Sequence, residues 1–341
     1  MAGRPVVEVG KAPPTIAPVA RGIPRPRWSV MIPTYNCAVY LRETLQSVLA
    51  QDPGAEQMQI EVVDDVSTRD DPEAVVRELG QGRVAYFRQP NNQGAIGNFN
   101  TCIQRSRGHL VHILHGDDFV AEGFYSTLEN LADRHPHAMV LATRALWIDK
   151  HGRRKSISPR VREYEQFSRD ASPCYYTNPF ATPAVVIRRQ FYERSGGFLP
   201  GLKHTADWEM WSRSVAEGGV VMSNRVLAHY RFFDGNDTSR LMRLGENLRE
   251  YLRVGTCLAA RFSGFDIDHF RAMVCVNASL QAFRFTMAGD AEAAAAAREV
   301  ENELRRGPMP AGWRLKHRIL STPGLRRIAL AVLERWNRVR G

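Results

Sequence analysis

Four short apolar runs, each ending in polar residues and followed by a helix-period segment, restrict this chain to one kind of architecture. Trp28-Ser-Val-Met-Ile-Pro33, Ile60-Glu-Val-Val-Asp64, Val84–Phe87 and Leu110-Val-His-Ile-Leu114 read as buried strands. Between them lie helical faces: Leu41, Leu45, Val48 and Leu49, then Pro72–Leu79, then Ile96, Phe99 and Ile103. Strands alternating with helices predict an α/β fold with a mostly parallel sheet flanked by helices, doubly wound because crossovers are right-handed. A helix over 121–134 and a strand at Met139–Ala142 extend the series. Beyond Gly152 the pattern is mixed: a strand Ala184–Ile187, a short helix Arg189–Ser195, a helix opening within His204–Arg213 and a strand Val226–Phe233.

Each polar cluster falls at a predicted strand end: Thr34-Tyr35-Asn36, Asp64-Asp65 and Asp117-Asp118. In open α/β sheets ligands bind beyond the carboxyl ends of the strands. Adjacent carboxylates repel each other, and a divalent cation is the natural compensation for Asp117 and Asp118. An equally good reading of these two is a cap for a helix starting at Phe119. Neither GxGxxG nor GxxxxGK[ST] is present, which excludes a classical dinucleotide fold and a P-loop.

The 341 residues allow one large domain and a smaller one. A net charge of +10 implies an anionic partner, whether nucleic acid, a phosphate-rich small molecule or an anionic membrane. Five scattered cysteines without CxxC spacing argue for a reducing compartment, against a disulfide framework and against structural zinc. No apolar run approaches the roughly 20 residues of a membrane span, and no signal-peptide core is apparent, so a cytoplasmic protein is expected. Residues 1–27, rich in proline, read as a flexible extension.

From about 239 the chain reads as helical, with stripes Leu241, Leu244, Leu248, Tyr251, Leu252 and Phe270, Met273, Val274, Asn277, Leu280, then an Ala-rich helix at Ala291–Arg298. A domain boundary is expected near 238. Residues 313–341 combine apolar side chains with many arginines. They suit an anionic membrane surface, at the inner face of the cell membrane, or equally a packed terminal helix with a solvated basic face.

Five motifs occur in order: Ser29-Val-Met-Ile-Pro-Thr-Tyr-Asn36, Val63-Asp-Asp-Val-Ser67, Asn91-Asn-Gln-Gly94, His115-Gly-Asp-Asp118 and Ala206-Asp-Trp-Glu-Met-Trp211. Over about 28–238 the chain resembles a family 2 glycosyltransferase of GT-A fold. The resemblance implies a nucleotide-binding half at 28–120, an acceptor half at 121–238, and inverting transfer from a nucleotide-sugar donor. It implies that Pro33, Thr34, Tyr35, Asn36 and Asp65 hold the base and ribose, with Asn92, Gly94 and Asn98 near the nucleotide. Tyr35 could stack on a base and Asp65 accept from a hydroxyl or base N–H, although Tyr35 could equally close the core edge and Asn98 cap local backbone. Asp64 is as well suited to a structural role as to ligand contact.

The family's metal motif is Asp-x-Asp-Asp. Here Asp117 is expected near the ribose or metal and Asp118 on the metal itself, a Mg²⁺ or Mn²⁺ that neutralises the departing diphosphate. His115 replaces the first Asp, which leaves the number of protein ligands open and favours Mn²⁺ if the nitrogen binds. The catalytic base maps to Asp207, with Ala206 in place of the usual acidic neighbour. Helix capping is the competing role for Asp207, and Glu209 is the second choice of base. Trp208 and Trp211 read as packing residues. His229 and Arg231 are candidates to bring positive charge to the leaving group. The implied acceptor is a saccharide or lipid-linked saccharide, as in bacterial surface polysaccharide or glycolipid assembly; a soluble acceptor is the alternative.

Rival classes fit less well. The basic charge concentrates near the C-terminus without any nucleic-acid-binding signature, so no nucleic-acid partner is expected. A nucleotidyltransferase would want a Gly-rich basic loop after the first strand, where Pro33-Thr-Tyr-Asn36 stands. A non-catalytic binding module stays open because of His115 and Ala206.

Overall fold

The computed structural model describes residues 12–232, 237–307 and 310–314. Those up to Phe232 form one compact unit, and those from Asp237 onward belong to another.

The first unit is built on a nine-stranded sheet. Its strands are β1 (Trp28–Thr34), β2 (Met58–Asp64), β3 (Ala85–Arg88), β4 (Leu110–Ile113), β5 (Phe119–Val120), β6 (Val140–Ile148), β7 (Arg154–Ile157), β8 (Val185–Arg188) and β9 (Val220–Arg231). The spatial order is β3-β2-β1-β4-β8-β6-β9-β5, with β7 paired to β6. The half from β3 to β4 is parallel throughout. Beyond β4 the sheet is mixed: β8 runs antiparallel to both β4 and β6, while β6 and β9 are parallel. Every residue of β1 and β2 is buried, as parallel strands covered on both faces require.

The covering helices are α1 (Ala38–Leu49), α2 (Pro72–Gly80), α3 (Gly94–Arg105), α4 (Phe124–Arg134), α5 (Arg189–Ser195) and α6 (Ala206–Gly218). In α1 the predicted stripe Leu41, Leu45 and Val48 is the buried one, packed on Val30, Ile32 and Ile60 in one core. Proline at the first position and Asp71, whose carboxylate accepts from the Ala74 amide at 3.0 Å, start α2.

Two expectations are corrected here. The helix read as starting at Phe119 is instead a strand: β4 stops at Ile113, and Phe119 opens β5, which pairs antiparallel with β9 at the far edge of the sheet. The next helix starts only at Phe124 with Gly123 as its cap, so Asp117 and Asp118 cap no helix. The extension read as flexible is pinned from residue 13 on. Ile16 is buried, the Gly197 amide donates to the Pro14 carbonyl at 2.9 Å, and the His109 amide to that of Pro26 at 3.1 Å. Arg189 reaches the Ala17 carbonyl at 3.0 Å. Prolines remove donors from this segment, yet its carbonyls remain available to neighbours.

The second unit contains α7 (Asp237–Arg243), α8 (Glu246–Arg261), α9 (Ile267–Met287) and α10 (Ala291–Arg305). α9 packs against both α8 and α10 and is buried on several sides, through Phe270, Ala272, Val274, Cys275 and Ala278. In α8 the buried face is Leu248, Val254 and Leu258 rather than Tyr251 and Leu252, and Leu244 is exposed. Apart from Trp313 and Arg314, the basic segment 313–341 lies outside the described residues. No helix among the described residues is long and apolar enough to cross a membrane.

Candidate active site

The ends of β1, β2 and β4 meet at one edge of the sheet. Thr34 pairs in register with Asp64. The Asp65 amide donates to the Thr34 carbonyl at 2.9 Å and the Gly116 amide to the Pro33 carbonyl at 3.0 Å. A Cβ at Gly116 would lie 2.4 Å from Thr34 Oγ1, so only glycine lets the segment after β4 lie this close to β1.

That segment presents His115, Asp117 and Asp118, each offering one ligand atom, all within 4.8 Å of one another. Asp118 is buried, and its Oδ1 accepts from the Arg231 amide at 2.7 Å. Its Oδ2 has no hydrogen-bond partner among the described residues and lies 3.5 Å from His115 Nδ1. Burial raises the pKa of Asp117, and the neighbouring Asp118 charge raises it further; burial raises Asp118 as well. Burial alone would lower His115, but Asp118 first, then Asp117 and Asp207, outweigh it and raise the imidazole. An orphaned buried carboxylate oxygen beside a second carboxylate and an imidazole is a donor set that fits a divalent cation.

Asp207 stands in the first turn of α6. Its Oδ1 accepts from the Trp208 amide at 2.7 Å, and its Oδ2 from Asn178 Nδ2 at 3.0 Å and Thr182 Oγ1 at 3.5 Å. Burial pushes its carboxyl up to about 6 against these hydrogen bonds, and the charge of His115 also acts on it. A carboxylate poised near neutrality is suited to accept a proton.

The remaining loops have distinct jobs. Tyr35 is 50% exposed at the mouth of this edge. Asn36, in the left-handed region at φ 52°, accepts from the Thr68 and Arg69 amides, both at 2.9 Å. Asp65 is buried and its Oδ1 accepts from the Gln93 amide at 2.7 Å at the start of α3. Burial raises it against the Gln93 and Gly94 amides.

Residues 29–196 match the model of the family described as "Glycosyl transferase family 2". Residues 29–196 form a family 2 glycosyltransferase domain. The uncharacterized protein MT1568 of Mycobacterium tuberculosis is 27% identical over 248 residues, 69% of this chain and 76% of that protein. The GalNAc(5)-diNAcBac-PP-undecaprenol beta-1,3-glucosyltransferase of Campylobacter jejuni is 36% identical over 111 residues, 32% of this chain and 35% of that enzyme. Among solved structures, the mannosyltransferase PcManGT from Pyrobaculum calidifontis in complex with GDP-Man and Mn²⁺ superposes with a TM-score of 0.56. It is 19% identical, and the match covers 96% of this chain and 91% of that one. The shared fold is the GT-A architecture of the family.

For a family 2 glycosyltransferase, the structure divides the expected site residues into two sets. His115, Asp117, Asp118, Asp207, Tyr35, Pro33, Thr34 and Asp65 stand along or beside the edge at which β1, β2 and β4 end. Several others are committed to the fold. Asn98 is buried, donates to the Val63 carbonyl at 2.8 Å and accepts from Gln89 at 3.2 Å, so its amide braces β2 instead of meeting a nucleotide. Asn92 donates to the Asp65 carbonyl at 2.8 Å and accepts from the Gly94 amide at 3.2 Å, and Gly94 supplies a φ of +71° there. Both shape the loop after β3. Asp64 is likewise structural, tied to Ser67, Tyr86 and Arg88.

The two expected cations are corrected. The Arg231 guanidinium is buried: Nε donates to the Asp117 carbonyl at 2.9 Å and Nη2 to Glu43, with the Tyr40 ring 4.6 Å away. Arg231 holds the loop that carries Asp117 and Asp118. His229 stacks on Phe119 at 4.2 Å, and burial lowers its pKa, with Arg154 and Arg231 adding to the effect. A neutral imidazole brings no charge to a leaving group at pH 7.

Glu209 is removed as a base by its buried ion pair with Arg213 at 2.9 Å. Trp208 and Trp211 are both buried packing residues. Asn178 and Thr182, which hold Asp207, went unread because no periodic pattern marks the 3-10 turns Ser172–Cys174 and Thr182–Ala184 that flank this stretch.

Proposed function

We propose that this glycosyltransferase is an inverting, divalent-metal-dependent enzyme that moves a sugar from a nucleoside diphosphate sugar to an acceptor hydroxyl, with Asp207 as base. One observation carries the reading: Asp207, held by Asn178 and raised to about 6 by burial, comes from a different segment than the acidic cluster at Asp117 and Asp118, where one buried oxygen is unpartnered among the described residues. The first can take a proton; the second can hold a cation.

The acceptor oxygen attacks C1 of the donor while the bond from C1 to the diphosphate oxygen breaks, and the electron pair leaves with the nucleoside diphosphate. Asp207 takes the hydroxyl proton, and in-line displacement inverts the anomeric centre. A Mg²⁺ or Mn²⁺ held by Asp117 and Asp118 would neutralise the charge developing on the diphosphate. Tyr35, exposed beside this edge, stacks on the base, while Pro33, Thr34 and Asp65 flank the ribose. Asn36, Asn92 and Gly94 act by shaping those loops.

A lipid-linked saccharide in bacterial surface glycan assembly is the acceptor we infer, because the Campylobacter relative's name specifies an undecaprenol-linked substrate. Attachment to an anionic membrane through 313–341 and a place at the inner face of the cell membrane belong to the same reading. The test is a panel of UDP- and GDP-sugars incubated with Mn²⁺ and undecaprenyl-linked saccharides, read as nucleoside diphosphate release. Release that chelation abolishes is expected. Absence of release with every donor, with or without acceptor, would overturn the reading.

A further inference from the structure

We propose that His115 is a direct nitrogen ligand of the divalent ion, so that one imidazole and two carboxylates select Mn²⁺ over Mg²⁺. This rests on the metal-dependent reading above and concerns the position where the family's motif has a carboxylate.

Asp118 is 1% exposed, one oxygen is fixed by the Arg231 amide, and the other is unpartnered among the described residues. That free oxygen lies 3.5 Å from His115 Nδ1. Two ligands on neighbouring corners of an octahedron with bonds of about 2.1 Å stand roughly 3 Å apart, and opposite ones a little over 4 Å. The 4.8 Å span of the three ligand atoms therefore needs only a small closure to take one ion.

The imidazole is already held for this. Its ring stacks on Phe99 with centroids 4.9 Å apart and planes 17° from parallel, and Phe99 meets the edge of Phe198 at 5.5 Å. Nε2 is buried without a hydrogen-bond partner among the described residues. The ring plane is thus set by stacking, and Nδ1 meets only Asp118, at a long 3.5 Å, while Nε2 has no partner among the described residues, which leaves a lone pair for a metal. Mg²⁺ keeps its waters and takes oxygen ligands, whereas Mn²⁺, although it also favours oxygen, is a first-row transition ion that accepts one imidazole beside two carboxylates more readily than Mg²⁺ does. The rival arrangement is a protonated His115 paired with Asp118 as a fixed cation in place of a metal.

Electron paramagnetic resonance of the 341-residue chain with Mn²⁺ alone, and with Mn²⁺ plus UDP or GDP, decides between them. Bound Mn²⁺ is expected to show the spin-echo modulation of an imidazole nitrogen. His115→Asp and His115→Asn should lose that modulation, and His115→Asp should shift the Mn²⁺ to Mg²⁺ affinity ratio toward Mg²⁺ on the order of tenfold. Bound Mn²⁺ without nitrogen modulation in the unmodified protein, the same modulation in both variants, or no Mn²⁺ binding under any of these conditions overturns the proposal. Nucleoside diphosphate release that survives chelation would also overturn it, leaving glycosyl transfer intact. Nitrogen ligation without release from any donor would instead sink the transfer reading and leave the ligand assignment standing.

Discussion

The backbone amide of Arg231, the last residue of β9, donates to Asp118 Oδ1 at 2.7 Å, and its Nε donates to the Asp117 carbonyl at 2.9 Å. One residue of β9, the strand next to the edge strand β5, thereby fixes both carboxylate-bearing positions of the motif after β4. Its guanidinium is balanced by the half-exposed Glu43 and packs over Tyr40.

Replacing Arg231 by Met keeps the amide bond to Asp118 and removes the grip on Asp117. Stability should fall by about 2–3 kcal/mol, the cost of losing a buried charged donor, and Mn²⁺ affinity should fall with it. Urea denaturation and Mn²⁺ titration measure the two. Glu43→Gln, at a half-exposed partner, should cost less than about 1 kcal/mol.

The Asp207 carboxyl is raised to about 6 by burial, so turnover should fall as pH drops through that value and the base becomes protonated. The same shift has a stability consequence. The folded state binds more protons than the unfolded chain between about 4 and 6, so stability declines as pH rises across that window, and the penalty is complete above it. Asp207→Asn removes the penalty and should stabilise the protein by about 1–3 kcal/mol at pH 7.5, with little change at pH 4. Unfolding curves at the two pH values check the sign.

Asn178 donates to Asp207 Oδ2 at 3.0 Å and helps to keep this carboxyl from rising further. Asn178→Ala should move the acid limb of the rate profile upward and lower turnover at pH 6.5, while the donor Michaelis constant stays near its original value. Thr182→Val, at 3.5 Å, should do the same more weakly. An unmoved limb in both variants would remove these residues from the positioning of the base.

Glu209 and Arg213 form a buried pair, with Arg213 also reaching the Ser195 and Gly197 carbonyls at 2.7 and 2.9 Å. Glu209→Ala leaves an uncompensated buried guanidinium and should destabilise the fold by about 3–5 kcal/mol. Turnover per folded molecule of Glu209→Gln should stay within a few-fold of the original, which separates a structural acid from a base.

The parallel half of the sheet was legible because its strands are buried on both faces and end in polar clusters, and the same clusters located the site. What periodicity could not show is which polar atoms the fold itself consumes. Asp64 and Asp65 are adjacent in sequence, yet Asp64 is locked by Tyr86 and Arg88. Asn98 and Arg231 carry ligand-like chemistry whose partners, Val63 and Asp117, come from distant parts of the chain. The break at Phe119 was hidden for a similar reason: a two-residue strand has too few side chains to declare a period, and only its pairing with His229 defines it.

Asp207→Asn, assayed in single-turnover transfer beside Mn²⁺-dependent nucleoside diphosphate binding, tests the central claim most directly. Transfer should fall by about a hundredfold or more, as expected for loss of a general base, while nucleotide binding stays within a few-fold. Transfer at a near-original rate, or nucleotide binding lost together with transfer, would contradict the assignment of Asp207 as the base.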